Sequence, residues 1–80
     1  MTEVEIRPSA LGFAKVSFTM LAREMAGLSL PEAHRFTDGV AGGGPSRLQF
    51  EDEETAILFV RRAVGLGAIC IRRTVPPRGR

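Results

Sequence analysis

Eighty residues with a formal charge of +2, 44% hydrophobic and 25% charged, make a single globular domain and exclude a disordered or multidomain chain. A core is attainable at this length, but stability is modest without a metal, disulfides or a partner. The lone cysteine, Cys70, excludes an intrachain disulfide. That fits a reducing compartment. The first eight residues are charged and lack the apolar core of a secretory signal. No apolar run approaches the roughly 20 residues that span a bilayer. The expectation is a cytoplasmic protein with no membrane partner.

In chain order, Val4 and Ile6 alternate with Glu3, Glu5 and Arg7, a half-buried strand that Pro8 ends. Residues 9–12 form a loop. Residues 13–25 are helical, with Phe18, Leu21, Ala22 and Met25 at i, i+3, i+4 and i+7 as the apolar face and Gly27 at the C-terminal cap. Ser29 and Glu32 form a capping box for a second helix with Pro31 in its first turn. In that helix Leu30, Ala33, Phe36 and Thr37 face the core, and Gly39 ends it. Residues 41–46 are a glycine-rich connector without the Gly-Lys-Ser/Thr ending of a phosphate loop. Residues 47–50 form a short strand. Asp52 caps a third helix, with Glu53 and Glu54 near the positive end of its dipole and Ala56, Phe59, Val60 and Ala63 as its core stripe. Ile57 and Leu58 exceed that stripe, so one of them faces outward. Gly65 and Gly67 break the helix, residues 68–73 form the last strand, and residues 74–80 are a basic tail with two prolines.

The order β-α-α-β-α-β implies an α+β two-layer sandwich, a three-stranded sheet covered on one face by three helices. It occupies residues 1–73, with the tail at 74–80.

Specific residues carry a resemblance. Ala14-Lys15-Val16, Arg23 and the run Gly-Leu-Ser-Leu-Pro-Glu-Ala at 27–33 are similar to the C-terminal domain of the bacterial ribosomal stalk protein, where a Lys-Val helix start, a helix arginine and a Gly-Leu-Gly-Leu-Lys-Glu-Ala turn recur. The likeness covers residues 2–73 and continues through Val4, Ile6, Ala56, Phe59, Ala63, Gly67 and Ala68. It implies the same fold and a non-catalytic module that recruits translation GTPases through its first helix and the start of the next. By position that surface holds Lys15, Val16, Thr19, Met20, Arg23 and His34. Lys15, Val16 and Arg23 keep the family's residue types, Met20 and His34 replace lysines, and Thr19 replaces an aliphatic residue. The stalk's dimerisation domain and hinge have no counterpart in these residues, which implies a fragment or a free-standing relative. In the last strand Ile69 and Ile71 take positions usually charged in the family, and Cys70 takes an apolar one. A bulge or a one-residue shift restores the phase; otherwise the outer sheet face is partly apolar.

Read without the family, Lys15, Thr19 and Arg23 form a polar ridge at i, i+4 and i+8, flanked by Val16 and Met20. An apolar pair beside two cations suits protein recognition. The competing reading places Val16 and Met20 in the core. A homodimer through Ile57 or Leu58 together with Ile69 or Ile71 is a further candidate.

No enzyme is expected. His34 has no nucleophile and acid around it in sequence, and Cys70 lies mid-strand, where a thiol is inert. The acidic run 51–54 lacks the alternating ligands and turn glycine of a calcium loop, and no zinc signature is present. No metal or cofactor is implied. Two other binding roles stand behind the leading one. The Clp protease adaptor ClpS shares a similar small core, but its acids after the first strand have no counterpart in residues 7–12. Nucleic-acid binding through Arg61, Arg62, Arg72, Arg73, Arg78 and Arg80 is weaker still, because no aromatic platform accompanies the arginines.

Overall fold

A computed structural model describes residues 1–8, 12–43 and 46–74. The strand and helix order is β1 (Thr2–Pro8), α1 (Lys15–Ala26), α2 (Leu30–Ala41), β2 (Ser46–Phe50), α3 (Glu53–Gly65) and β3 (Ala68–Thr74). The strands form one antiparallel sheet in the order β2-β1-β3. This is the α+β two-layer arrangement expected from the sequence. The tail at 75–80, most of the loop after β1 and residues 44–45 of the glycine-rich connector lie outside the described residues.

Local chemistry places each helix boundary. The Ser29 hydroxyl accepts from the Glu32 amide while the Glu32 carboxylate accepts from the Ser29 amide, so the capping box is complete. Asp52 accepts from the amide and hydroxyl of Thr55 at the start of α3. Gly27 ends α1 in the left-handed conformation at φ 71°. The second helix runs past Gly39, its expected end, to Ala41, where the Gly42 amide donates to the Asp38 carbonyl and the Gly43 amide to the Val40 carbonyl. Glycine costs a helix about 1 kcal/mol, less than an end after Gly39 would forfeit, since the next residue, Val40, is fully buried.

Alternation on β1 sends Thr2, Val4 and Ile6 toward the helices, where Leu48, Phe50 and Ala68 join them from the flanking strands. Phe18 of α1 and Phe59 of α3 are the largest side chains sealed inside. Leu30, expected inward, stands exposed at the first turn of α2, while Phe36 packs against the core and Ala33 and Thr37 lie within it. The turn between α3 and β3 is held against the segment before α1. The Ala14 amide donates to the Leu66 carbonyl at 2.8 Å, and a Cβ on Gly67, whose φ is 95°, would lie 1.9 Å from the Gly12 carbonyl oxygen. Only glycine fits there.

The outer sheet face is built around Glu5. It is 8% exposed and meets Arg7 at 2.9 Å, Arg47 at 3.5 Å and Arg73 at 3.7 Å. Glu3 adds a contact to Arg73 at 3.3 Å. The register between β1 and β3 runs unbroken from Thr2 opposite Thr74 to Pro8 opposite Ala68. Neither a bulge nor a shift restores the family's phase. Cys70 points to the helices, and Ile69 and Ile71 lie half-exposed on the outer face.

The hydrogen bond from Arg7, aided by the charges of Arg7, Arg47 and Arg73, holds the Glu5 carboxyl below its ordinary value of 4.5 against an opposing desolvation. A carboxylate with a lowered folded-state pKa contributes stability above its unfolded value and loses it as the pH falls through the folded one. Glu5→Gln is expected to destabilise the domain near neutral pH, with the gap to the parent closing below about pH 4. Urea unfolding of both proteins across that range measures it; a gap that persists undiminished to about pH 3 would contradict the role given to the ionised group.

Candidate partner-binding surface

The apolar stripe of α1 decides which of its residues reach solvent. Phe18, Leu21 and Ala22 turn inward, so at 100° per residue Val16, Met20 and Arg23 fall on the opposite arc. Val16 is 80% exposed and Met20 52% exposed, and Lys15 and Arg23 are exposed beside them. Neither apolar side chain belongs to the core, which removes the reading of the pair as core residues.

Thr19 departs from its expected place on that ridge. It is 4% exposed, turned toward α2. Its hydroxyl lies 2.7 Å from that of Thr37, and each hydroxyl is 2.9 Å from the carbonyl four residues back, on Lys15 and Ala33 respectively. Each hydroxyl has one proton. One therefore donates across the helix pair and the other donates to its own helix, leaving both oxygens satisfied. The pair fixes α1 against α2, and Thr19 is withdrawn from any partner. His34 is exposed on α2. The structure thus brings Val16, Met20 and Arg23 onto one arc, with Lys15 exposed next to Val16, His34 on the neighbouring helix and Thr19 beneath the surface.

Sequence reasoning missed the contribution of α3. A groove of about 560 Å³ runs between α1 and α3, with Val16, Met20 and Leu21 on one wall and Arg61, Arg62 and Leu66 on the other. Arg62 reaches Glu24 across it at 3.7 Å. A smaller hollow of about 340 Å³ continues along Met20, Arg23 and Leu28. Among the described residues, Lys15, Arg23 and Arg61 form no ion pair. The groove is apolar along its floor, with Arg61 and the Arg62–Glu24 pair at its margin and Arg23 on the adjoining hollow. The Arg61-Arg62 pair next to the exposed flank of α3 was the available signal, but its closeness to Met20 depends on how two distant helices pack.

Other chemistry-bearing residues stand apart. Burial pushes the Cys70 thiol up to about 11, so it is uncharged and poorly nucleophilic near neutrality. Asp52 and Glu32 are held below their ordinary values, Asp52 first by the Thr55 hydroxyl and Glu32 first by the Ser29 amide; both are occupied as helix caps. Among the described residues no three His, Cys, Asp or Glu side chains cluster as a metal site, and no helix is long and apolar enough to cross a membrane.

No family model matches the chain, and a search of curated proteins finds no matching sequence. The two roles assigned on α1 separate by stability. Val16→Asp is expected to leave the unfolding free energy within about 0.5 kcal/mol, as at other exposed positions. Thr19→Val with Thr37→Val, which removes both hydroxyls together, should cost less than about 1 kcal/mol. Thr19→Asp, which buries a carboxylate, should cost about 3 kcal/mol or more. Chemical denaturation of the three proteins tests the ordering; unfolding by Val16→Asp would return Val16 to the core.

Proposed function

We propose that this chain is a non-catalytic protein-binding module of the cytoplasm whose first helix docks an acidic, partly apolar segment of its partner. The carrying observation is the exposure of Val16 and Met20 beside Lys15 and Arg23, on a helix whose core needs are met by other residues. An unburied apolar pair is commonplace singly, but bordered by a groove it suits a recognition surface. Arg23 and Arg61, which form no ion pair among the described residues, favour acidic partners by steering encounter and excluding basic competitors. Methionine at the centre adapts its shape to the entering side chain.

The resemblance to the ribosomal stalk domain supplies a partner class. There the corresponding helix recruits translation GTPases, and Lys15, Val16 and Arg23 keep that surface's residue types. Met20 and His34 shift it toward a more apolar and less charged contact, which changes the choice among partners more than the docking mode. Thr19 supports the helix packing behind this surface.

The arginines give less support to nucleic-acid binding. Arg7, Arg47, Arg62, Arg72 and Arg73 are each engaged with a glutamate, so little unpaired charge is left on them for phosphates.

Amide chemical-shift mapping against purified bacterial translation GTPases tests the proposal. Expected are shifts concentrated on residues 15–24 and 61–66, with Val16→Asp and Arg23→Ala each weakening the complex about ten-fold, or 1.4 kcal/mol, while the fold is retained. Shifts confined to the outer sheet face would sink the docking surface, and silence with every factor would remove translation GTPases as the partner class.

A further inference from the structure

Among the described residues the sheet ends in two edge strands with no further strand beside them, β2 and β3, and they differ. The β2 edge is five residues long and carries Arg47 and Gln49 on its outer face. A short, polar edge is the ordinary protection against adventitious pairing. The β3 edge is seven residues long, its register is unbroken, and Ile69 and Ile71 are 51% and 52% exposed. Its charged residues are already engaged, Arg72 with Glu53 and Arg73 with Glu3. On the helix side, positions 53, 57, 60 and 64 of α3 fall at i, i+4, i+7 and i+11, one flank of the helix. The contact between Glu53 and Arg72 sets that flank beside β3, and Val64 lines a groove with Ile69. The rest of the flank is Ile57, Val60 and a half-exposed Val64. The free edge is therefore apolar above and below its backbone.

We propose that this edge pairs antiparallel with the β3 of a second copy of the chain, joining two sheets into one and setting α3 against its counterpart. The sequence of β3 is self-complementary. With the two-fold axis at Cys70, Ile69 of each copy faces Ile71 of the other, while Arg72 and Arg73 fall opposite Ala68 and Gly67. No arginine opposes an arginine, and both isoleucine pairs lie on the outer face, where cross-strand pairs stabilise a sheet. A closed two-fold contact requires this self-matching. A stable specific interface buries about 1,200–2,000 Å² in total. The edge of a seven-residue strand and Ile57, Val60, Val64, Ile69 and Ile71 from each copy contribute to that area. A domain this small also gains proportionally more from burial at an interface than a larger one does. The surface is separate from the α1 groove, so either proposal can stand without the other.

Sedimentation equilibrium of the full chain, from about 1 µM to 1 mM, tests it. The average mass is expected to rise from 8.7 kDa toward twice that value. Ile71→Lys and Val64→Glu should each raise the dissociation constant at least ten-fold, and Met20→Glu on α1 should leave it unchanged. Circular dichroism checks that each variant is folded; should Ile71→Lys unfold, Ile69→Lys and Val64→Glu carry the comparison. The register has its own readout. In a Cys70→Ser background, chains bearing Ile69→Cys and chains bearing Ile71→Cys should cross-link to each other under mild oxidation faster than either does to itself. A constant 8.7 kDa at every concentration overturns the proposal and leaves the edge to a foreign strand or to none. A dimer dispersed by Met20→Glu but not by Ile71→Lys or Val64→Glu overturns it equally.

Discussion

Phe18 is where the layers of this domain meet. Its ring centroid lies 5.0 Å from that of Phe13, 6.0 Å from Phe36 and 5.9 Å from Phe59, and Phe59 continues the chain of rings to Phe50 at 5.2 Å. These are the separations at which aromatic pairs attract beyond their buried area. The cluster draws on all five phenylalanines of the sequence and reaches α1, α2, α3 and β2. Because Phe18 must point into it, the helical period turns Val16 and Met20 outward, two residues to either side. The exposed pair is thus a geometric consequence of the core.

The sheet's outer face obeys a different constraint. Glu5 lies at the centre of β1, flanked by strands on both sides, and its carboxylate is nearly covered. A covered charge is costly unless paired and hydrogen-bonded, and Arg7, Arg47 and Arg73 supply the pairing from three strands. Ile71 lies directly across from Glu5 and adds no charge to that cluster. Ile69 and Ile71 therefore occupy the one strip of the face that the ionic network does not need, at the open margin of the sheet. Polar chemistry spreads over β1, β2 and the Arg73 end of β3, and apolar surface collects at Ile69 and Ile71.

Much of this was legible in the sequence because it is local. The capping box at Ser29 and Glu32, the Asp52 cap, the alternation of Val4 and Ile6 and the stripe Phe18, Leu21, Ala22 each depend on residues within a turn or two of one another. The failures are non-local. Thr19 reads as surface on any helical wheel, and only Thr37 on the next helix gives its hydroxyl a partner that permits burial. Gly39 reads as a stop, yet Val40 beyond it fills the core and holds the helix on to Ala41. The phase of β3 was visible as an anomaly, but choosing between a bulge and an apolar outer face required the register against β1. The groove was hidden for the same reason, since Met20 and Arg62 are brought together only by the packing of α1 on α3.

The third helix separates the two proposed surfaces. One flank carries Arg62 and Leu66 toward α1 and the groove; the other carries Ile57, Val60 and Val64 toward the edge of β3. The flanks lie on different sides of the same cylinder, so a copy paired at β3 leaves the groove open. A two-fold assembly would then present two equivalent grooves on one rigid sheet. A partner with two acidic segments could engage both, and the second contact would form at the effective concentration set by the first, strengthening binding without any new side-chain interaction. Such an arrangement strengthens binding most where each single contact is weak, because pairing multiplies the number of sites without changing any one of them.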